Sequence, residues 1–557
     1  AAECRAKSDT ISLFSQIDSG DLNCLNYSQP SSFMGAARVT KEAPSSIDDA
    51  AHDLQKLGYQ QELTRSRGLV HILFTFGLAA PIATSLVAGG PATMLWGWAL
   101  ISLTTQPLAL SLGEICSKYP TSAGAYYWCY RLSSPKRRVL SSWINGWLTM
   151  VGVWTISLSV NFGTAQLLVA GVGIFHPEWI PKAWQTYLIF LAISFISTFI
   201  GVFGNAILPL IDLAQKSLTG LDHIDNLRML DCSRFILVGL SAKAAVGRHS
   251  ASFALGHFDP SGSGWTPGWS FFIGLLPPAY TYSAIGMVAS MAEEVVNPIV
   301  QLPLAITWSI PISFVVGLVF LLPILFTLPD IPTLLAVPGG QPIGVLFQLV
   351  MGSKGGGFGM WLIIFGIGMF CAISICCAAS RATWSFARDK AIPGHQLWSQ
   401  VNRSLGDVPL NAYLLSLVIQ LLLGLIFLGS TAAFNAFVGV AVICLGASYA
   451  MPIAISLANG RRDMKDAPFS LGKWGYAINI WAVVWMAFEI VLFSMPAVIP
   501  VTPVTMNYAS VVFVGFAAIS AAWYMINGRS TYQGPPNPSE SSESIQEEKA
   551  SMKNVAD

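Results

Sequence analysis

Residues 268–290 read GWSFFIGLLPPAYTYSAIGMVAS, an apolar run without a charged side chain. About 20 such residues are enough for a helix to cross the ~30 Å hydrocarbon core of a membrane. Glycine and proline nevertheless interrupt the run near its centre, at Gly274 and at Pro277–Pro278. Because proline lacks an amide donor and its ring clashes with the preceding turn, the sequence predicts a membrane helix that is broken near its middle.

The composition of the whole chain is typical of a membrane protein with many spans. Only 11% of its 557 residues are charged and 53% are hydrophobic, whereas soluble domains have about 25% charged residues. Trp and Phe, at 18 and 31 residues, are abundant, as in proteins whose rings lie at membrane–water boundaries. A net charge of +1 gives no basic field for nucleic acid. We therefore expect the lipid bilayer, and no nucleic acid, as a partner.

Apolar runs of spanning length are clear at eleven places. They lie at 68–90, 93–115, 141–174, 185–204, 268–290, 303–327, 357–384, 410–429, 433–457, 476–498 and 506–526. A twelfth crossing, the fifth in chain order, is predicted between 205 and 247. Without it, the Lys- and Arg-rich loops would not share the cytoplasmic side. The predicted fold class is an all-α polytopic membrane protein with about twelve transmembrane helices.

The fifth crossing contains a charged segment, 215–234, that includes Lys216 and Arg234. Each Asp, Lys or Arg near a helix centre costs about 2.5–3.5 kcal/mol on insertion. We expect that this segment forms no transmembrane helix and interpret it as foreign to the mature fold, with a local insertion in span 5 as the alternative.

The two ends of the chain are predicted to be cytoplasmic tails around one membrane domain at 68–527. Residues 1–67 and 528–557 are polar, with Ser-, Pro- and Glu-containing stretches, and cannot bury enough apolar surface to fold alone. The nine cysteines show no spacing with histidine that suits zinc. We expect no metal, no cofactor and no catalytic residue, so the chain is predicted not to be an enzyme.

Five motifs occur in order along the chain: GGPA from Gly89 with WGW beyond it, Glu114 with YPTSAGAYYW beyond it, MAEEVVNP from Met291, Ser380-Arg381 with a later ARD, and TMNY from Thr505. Together they resemble the amino acid–polyamine–organocation superfamily. Within it, the chain is similar to the fungal amino acid/choline transporter family, which includes γ-aminobutyrate and choline permeases. The resemblance covers roughly residues 58–533.

The resemblance implies two five-helix repeats of inverted topology, about 68–250 and about 265–458, with two peripheral helices at about 475–527. Such transporters bind solutes at mid-membrane, where the first helix of each repeat is broken and its backbone groups face a cavity. A simple proline kink is the alternative for either break. The candidate substrate-binding residues are Gly77, Ala79, Ala80 and Pro81 in span 1, and Ala279, Tyr280, Thr281, Tyr282 and Ser283 in span 6.

Charged and polar groups near the helix ends and inside the spans are further candidates. Gating ion pairs are proposed for Glu114, Glu293 and Glu294, with Arg381, Arg388 or the cluster 136–138 as partners; solvated helix ends are the alternative. Glu489, alone in span 11, is interpreted as structural or interfacial, with a proton carrier as the alternative. Asn161 in span 3 faces either the cavity or a neighbouring helix.

The resulting functional hypothesis is a secondary permease that imports an amino acid or related amine, such as γ-aminobutyrate or choline, by alternating access with protons as the coupling ion. The expected location is the plasma membrane, with the vacuolar membrane as the alternative. The chain has no Gly-x-x-x-x-Gly-Lys-Ser/Thr motif, which argues against a primary pump. Two rival interpretations are a nutrient sensor and a product that does not transport because span 5 is disrupted.

Overall fold

Long apolar helices make up most of the protein, as described by a computed structural model. The structure describes residues 38–39, 54–59, 62, 81–204, 244–295, 297–337, 340–429, 433–502 and 506–536. The α-helices are α1 (Ile82–Gly89), α2 (Pro91–Lys118), α3 (Ala125–Leu132), α4 (Arg138–Phe175), α5 (Ala183–Phe203), α6 (Ala251–Gly256), α7 (Pro267–Ile273), α8 (Leu276–Tyr282), α9 (Pro298–Phe326), α10 (Ile331–Leu335), α11 (Ile343–Met351), α12 (Lys354–Arg388), α13 (His395–Trp398), α14 (Leu410–Gly424), α15 (Ile426–Gly429), α16 (Ala433–Ala458), α17 (Gly475–Leu492), α18 (Ala509–Trp523) and α19 (Arg529–Thr531).

Ten helical stretches among the described residues are long and apolar enough to cross a membrane. They correspond to the predicted spans 2–4 and 6–12. This confirms the predicted fold class. Of span 1, the described part begins at Pro81 and forms α1. Most of span 5, with the charged segment 215–234, lies outside the described residues.

Close helix packing depends on glycines that face aromatic rings. A Cβ added at Gly146 of α4 would lie 2.2 Å from Phe386 of α12, and one at Gly317 of α9 would lie 2.5 Å from Trp98 of α2. Such distances are too short for any side chain, so these glycines let the helices approach. Trp98 is further fixed because its indole N–H donates to the Phe314 carbonyl at 3.0 Å.

The sixth span is broken into three helical segments. Helix α7 ends at Ile273, α8 covers Leu276–Tyr282, and a 3₁₀-helix covers Ile285–Glu294. The prolines do not lie at the interruptions, since Pro277 and Pro278 stand in the first turn of α8. An amide donor is not needed there, so proline is well tolerated. The interruptions are at 274–275 and 283–284 instead.

Two short strands and parts of both tails pack on the membrane domain. Strand β1 (Arg38–Val39) pairs antiparallel with β2 (Phe469–Ser470), with Arg38 opposite Ser470. Leu54, Tyr59 and Tyr532 are buried. The sequence predicts that the tails cannot fold alone. These three residues bury their apolar surface against the membrane domain, so the tails need no hydrophobic core of their own at these positions.

Candidate functional site

Two tyrosines on α8 connect the broken span to its neighbours. Tyr280 and Tyr282 are only 3% and 6% exposed. The Tyr280 hydroxyl lies 2.7 Å from Ser159 Oγ on α4, and the Tyr282 hydroxyl lies 2.8 Å from Ser102 Oγ on α2. The Tyr282 ring also stacks on Trp98, with centroids 4.9 Å apart and planes 14° apart. Movement of α8 therefore requires that these contacts break or move with it.

The other candidate residues of the broken span have local partners. Thr281 Oγ1 donates to the Pro277 carbonyl at 2.9 Å, and Ser283 Oγ donates to the Tyr280 carbonyl at 2.8 Å. Ala279 and Ser283 line a cavity. Pro81 is buried immediately before α1, whereas Gly77, Ala79 and Ala80 lie outside the described residues.

A cavity lies between the broken span and three other helices. Its water-accessible volume is about 20 Å³, enough for about one water molecule and too small for an amino acid. Binding of such a solute therefore requires that the helices around it move apart. The lining residues are Thr105 and Leu108 of α2, Ala279, Tyr282 and Ser283 of span 6, Val442, Gly446 and Tyr449 of α16, and Met486 and Glu489 of α17.

Glu489 is the acidic residue of this cavity, and the sequence did not reveal its position. It is 6% exposed, and its Oε1 accepts a 2.7 Å hydrogen bond from the indole N–H of Trp485, one turn earlier. The family resemblance implies that span 11 is peripheral. The isolated carboxyl in an apolar run was the available signal, but sequence alone does not say which face of the helix meets α2, α16 and span 6.

Tyr449 lies between this cavity and a second one, also of about 20 Å³, whose lining includes Ser122, Gly286 and Ser290. A Cβ added at Gly286 would lie 2.2 Å from the Tyr449 ring. The Tyr449 hydroxyl is buried, and the backbone amides of Gly286 and Met287 lie beside it. The Tyr449 ring thus lines both cavities.

Beyond the second cavity, two ion pairs join the end of span 6 to α12. Arg381 Nε donates to Glu294 Oε1 at 2.6 Å, and Arg388 Nη2 donates to Glu293 Oε1 at 3.1 Å. Arg381 also donates to the Tyr413 hydroxyl at 2.9 Å. The structure thus brings four of the five predicted gating residues together as two pairs. Both arginines are largely buried, so these are not solvated helix ends.

Tyr59 and Glu62 of the N-terminal tail lie against Arg388, the arginine of one of these ion pairs. The Arg388 guanidinium lies 4.2 Å from the ring centre of Tyr59, and Arg388 Nη1 is 4.0 Å from Glu62 Oε1. Asp389 accepts hydrogen bonds from the hydroxyls of Tyr59 and Tyr126, both at 2.8 Å. Burial raises the pKa of the Asp389 carboxyl, while Arg388 and the two hydroxyls oppose that shift. Burial, reinforced by Asp389, likewise raises the pKa of the Tyr59 hydroxyl.

The fifth predicted gating residue, Glu114, has a different partner from those proposed. Both of its carboxylate oxygens accept from Arg461 Nη2, at 2.7 and 2.6 Å, and Oε1 also accepts from the Leu471 amide at 2.8 Å. The proposed cluster 136–138 is not the partner, and Arg138 stacks over the Tyr130 ring at 4.9 Å. Arg461 was visible in the sequence only as one positive charge of a loop.

Asn161, for which two orientations were open, bonds to neighbouring helices. Its side-chain amide donates to Gln420 Oε1 at 2.9 Å and to Cys376 Sγ at 3.3 Å. Groups of three or more His, Cys, Asp or Glu suited to a metal are absent from the described residues. The described residues thus combine small cavities beside the broken span with buried ion pairs at its end.

Comparison with known proteins gives matches along nearly the whole chain. The model of a family described as amino acid permease matches residues 68–517. The amino-acid permease BAT1 homolog of Oryza sativa subsp. japonica is 33% identical, covering 90% of this chain and 98% of that protein. The choline transporter of Saccharomyces cerevisiae is 31% identical, covering 82% and 79%. The polyamine transporter TPO5 of the same yeast is 32% identical, covering 84% and 76%.

Proposed function

Because the chain belongs to the amino acid permease family, we propose that it is a secondary active transporter that imports an amino acid or a related amine across the plasma membrane, with protons as the coupling ion. Relatives are named as amino-acid permeases, a choline transporter and a polyamine transporter. These names support the substrate class as a whole, amino acids and amines.

The observation that carries the proposal is the closed site around the broken sixth span. A carboxylate can be held by unpaired amides at a half-helix N-terminus, and an ammonium by carbonyls or aromatic faces. We assign this binding to Ala279, Tyr280, Thr281, Tyr282 and Ser283 of span 6. From span 1 we add Gly77, Ala79, Ala80 and Pro81.

Alternating access needs an end that opens and closes, and we assign this role to the carboxylate–arginine pairs. In the structure, Glu293–Arg388 and Glu294–Arg381 hold the end of span 6 against α12, and Glu114–Arg461 holds the end of α2. With these pairs formed, the cavities beside α8 and Tyr449 hold about one water molecule each. Release of solute on that side then requires that the two pairs at span 6 separate.

The proposal is tested by uptake of labelled γ-aminobutyrate, choline and proteinogenic amino acids in a fungal cell that lacks its own permeases. We expect saturable uptake of at least one of them, and loss of that uptake when a protonophore collapses the proton gradient. Cells with the empty vector are the control. Absence of uptake for every solute, at a normal surface level of the protein, would contradict transport and favour a sensor. Uptake that resists the protonophore would contradict proton coupling alone.

A further inference from the structure

Glu489 has a buried carboxyl group inside a membrane-spanning helix. It lies in α17, an otherwise uncharged helix (Gly475–Leu492), and is 6% exposed. A carboxylate removed from water without a positive partner costs several kcal/mol, so an intramembrane carboxylate needs a partner or a function. Its hydrogen bond from Trp485 occupies Oε1 and supplies no charge.

The carboxyl group of Glu489 lines the cavity beside the broken span. The carboxyl shares its cavity with Ala279, Tyr282 and Ser283 of the broken span. The ionisable groups that line this cavity, among the described residues, are Glu489, Tyr282 and Tyr449. Lys and Arg are not among the lining residues that the structure describes. Among the described residues, a negative charge at Glu489 therefore has no protein cation beside it in this cavity.

The same cavity offers a second kind of contact for a cation. Tyr282 and Tyr449 both line it, and the electron-rich face of an aromatic ring attracts ammonium groups. A carboxylate and two aromatic rings in one cavity together suit an organic ammonium ion.

We propose that Glu489 is a recognition residue for cationic amines, and that its carboxylate takes an ammonium group of substrates with net positive charge. This subsite rests on the proposed transport function, because it lies beside the broken span that we assign to substrate binding. Zwitterionic amino acids, whose carboxylate would meet a like charge there, depend on it less.

The test compares putrescine with γ-aminobutyrate, which have similar carbon chains but carry either two ammonium groups or one ammonium and one carboxylate. Each serves as an unlabelled competitor against a labelled substrate of the intact protein. The variants are Glu489→Gln, which removes the charge, and Glu489→Asp, which keeps it. Glu178→Gln, in an exposed loop, is the matched control. Choline is a third competitor, with a quaternary ammonium.

Loss of a charge-assisted contact reduces affinity by about tenfold to a hundredfold. In Glu489→Gln we expect this tenfold to hundredfold loss of affinity for putrescine and choline, and a change below about threefold for γ-aminobutyrate. Glu489→Asp should keep the wild-type ratio of the affinities for the cations and γ-aminobutyrate.

Three results would overturn the subsite. Equal losses for all competitors would indicate a packing role. If the ratio of the competitors' affinities is unchanged in Glu489→Gln and uptake no longer responds to a protonophore, Glu489 is a proton carrier instead. Failure of cations to compete in the wild type, with γ-aminobutyrate or another amino acid still transported, would remove the subsite but leave the proposed function intact. A wild type that transports no solute would instead refute the proposed function itself.

Discussion

The ion pair between Glu294 and Arg381 gives a sharp test of the assigned gate. The two side chains are 6% and 1% exposed, and Nε and Oε1 are 2.6 Å apart. Removing one partner of a buried pair costs about 3–5 kcal/mol, because the other charge stays buried without compensation. If that cost falls on the closed arrangement alone, the equilibrium shifts toward opening by about 10²- to 10⁴-fold. Glu294→Leu and Arg381→Met should each have this effect.

Removing both charges should be less harmful than removing either one. Replacing a buried pair by apolar residues is often nearly neutral, although Tyr413 would lose the hydrogen bond that it accepts from Arg381. We therefore expect the double variant to recover most of the loss. Opening is measured as the rate at which a thiol reagent on the cytoplasmic side modifies Ser290→Cys, which lines the cavity next to the gate. The apparent melting temperature in detergent provides a second measurement by which the single and double variants are compared.

Two outcomes would refute the reasoning. Single variants that are labelled as slowly as the parent Ser290→Cys protein, with unchanged melting, would show that the pair does not hold the closed arrangement. A double variant as open as the singles would show that the loss does not come from an unpaired buried charge. Glu178→Gln, at an exposed position, controls for the loss of a negative charge as such.

Three further predictions follow from the site. Tyr282→Ala should weaken the apparent affinity for an ammonium substrate by about twofold to thirtyfold at a normal surface level, since it removes an aromatic face, and unchanged affinity and uptake would argue against its place in the binding site. Gly286→Ala, whose Cβ would lie 2.2 Å from the Tyr449 ring, should lose about 1–3 kcal/mol of stability by overpacking, whereas Gly173→Ala meets nothing within 4 Å; equal melting of both variants would contradict the contact. The raised pKa of Asp389 means that the fold favours its protonated form, so the wild type loses stability relative to Asp389→Asn as pH rises above about 4. Thermal melting of both proteins across a pH series checks the sign, and a difference in melting temperature that does not vary with pH would contradict it.

The positions of the spans could be predicted because hydrophobic length is a local property of the sequence. Ten of the twelve predicted spans have helical counterparts among the described residues, and the ends differ where polar residues extend a helix. The span predicted at 357–384 is a helix over Lys354–Arg388, since charges at the membrane surface cost little. The break in span 6 followed from its Gly and Pro content, but the sequence did not indicate that the prolines begin α8.

The contacts of the site were predictable only in part. Glu293 and Glu294 are natural partners for Arg381 and Arg388, because the predicted topology places all four near helix ends on one side of the membrane. Arg461 was not recognised as a partner, since nothing in a single sequence relates a loop arginine to Glu114. The contact of Tyr59 with Asp389 spans 330 positions and left no local signal either. Such long-range pairs depend on how the helices pack, which hydrophobic periodicity does not determine.

The pairing of Glu114 with Arg461 has a consequence for how the protein is made. The two residues are 347 positions apart, and at about 5–20 residues per second a ribosome needs about 17–70 s to synthesise the chain between them. During that interval span 2 is already available for insertion, but its carboxyl has no partner at 461. It must remain hydrated or protonated at the membrane surface, because an unpaired buried charge is costly. The ion pair that fixes this end of span 2 can therefore form only after the tenth span has been synthesised. In a nascent chain that is released earlier, the Glu114 carboxyl has no Arg461 to pair with.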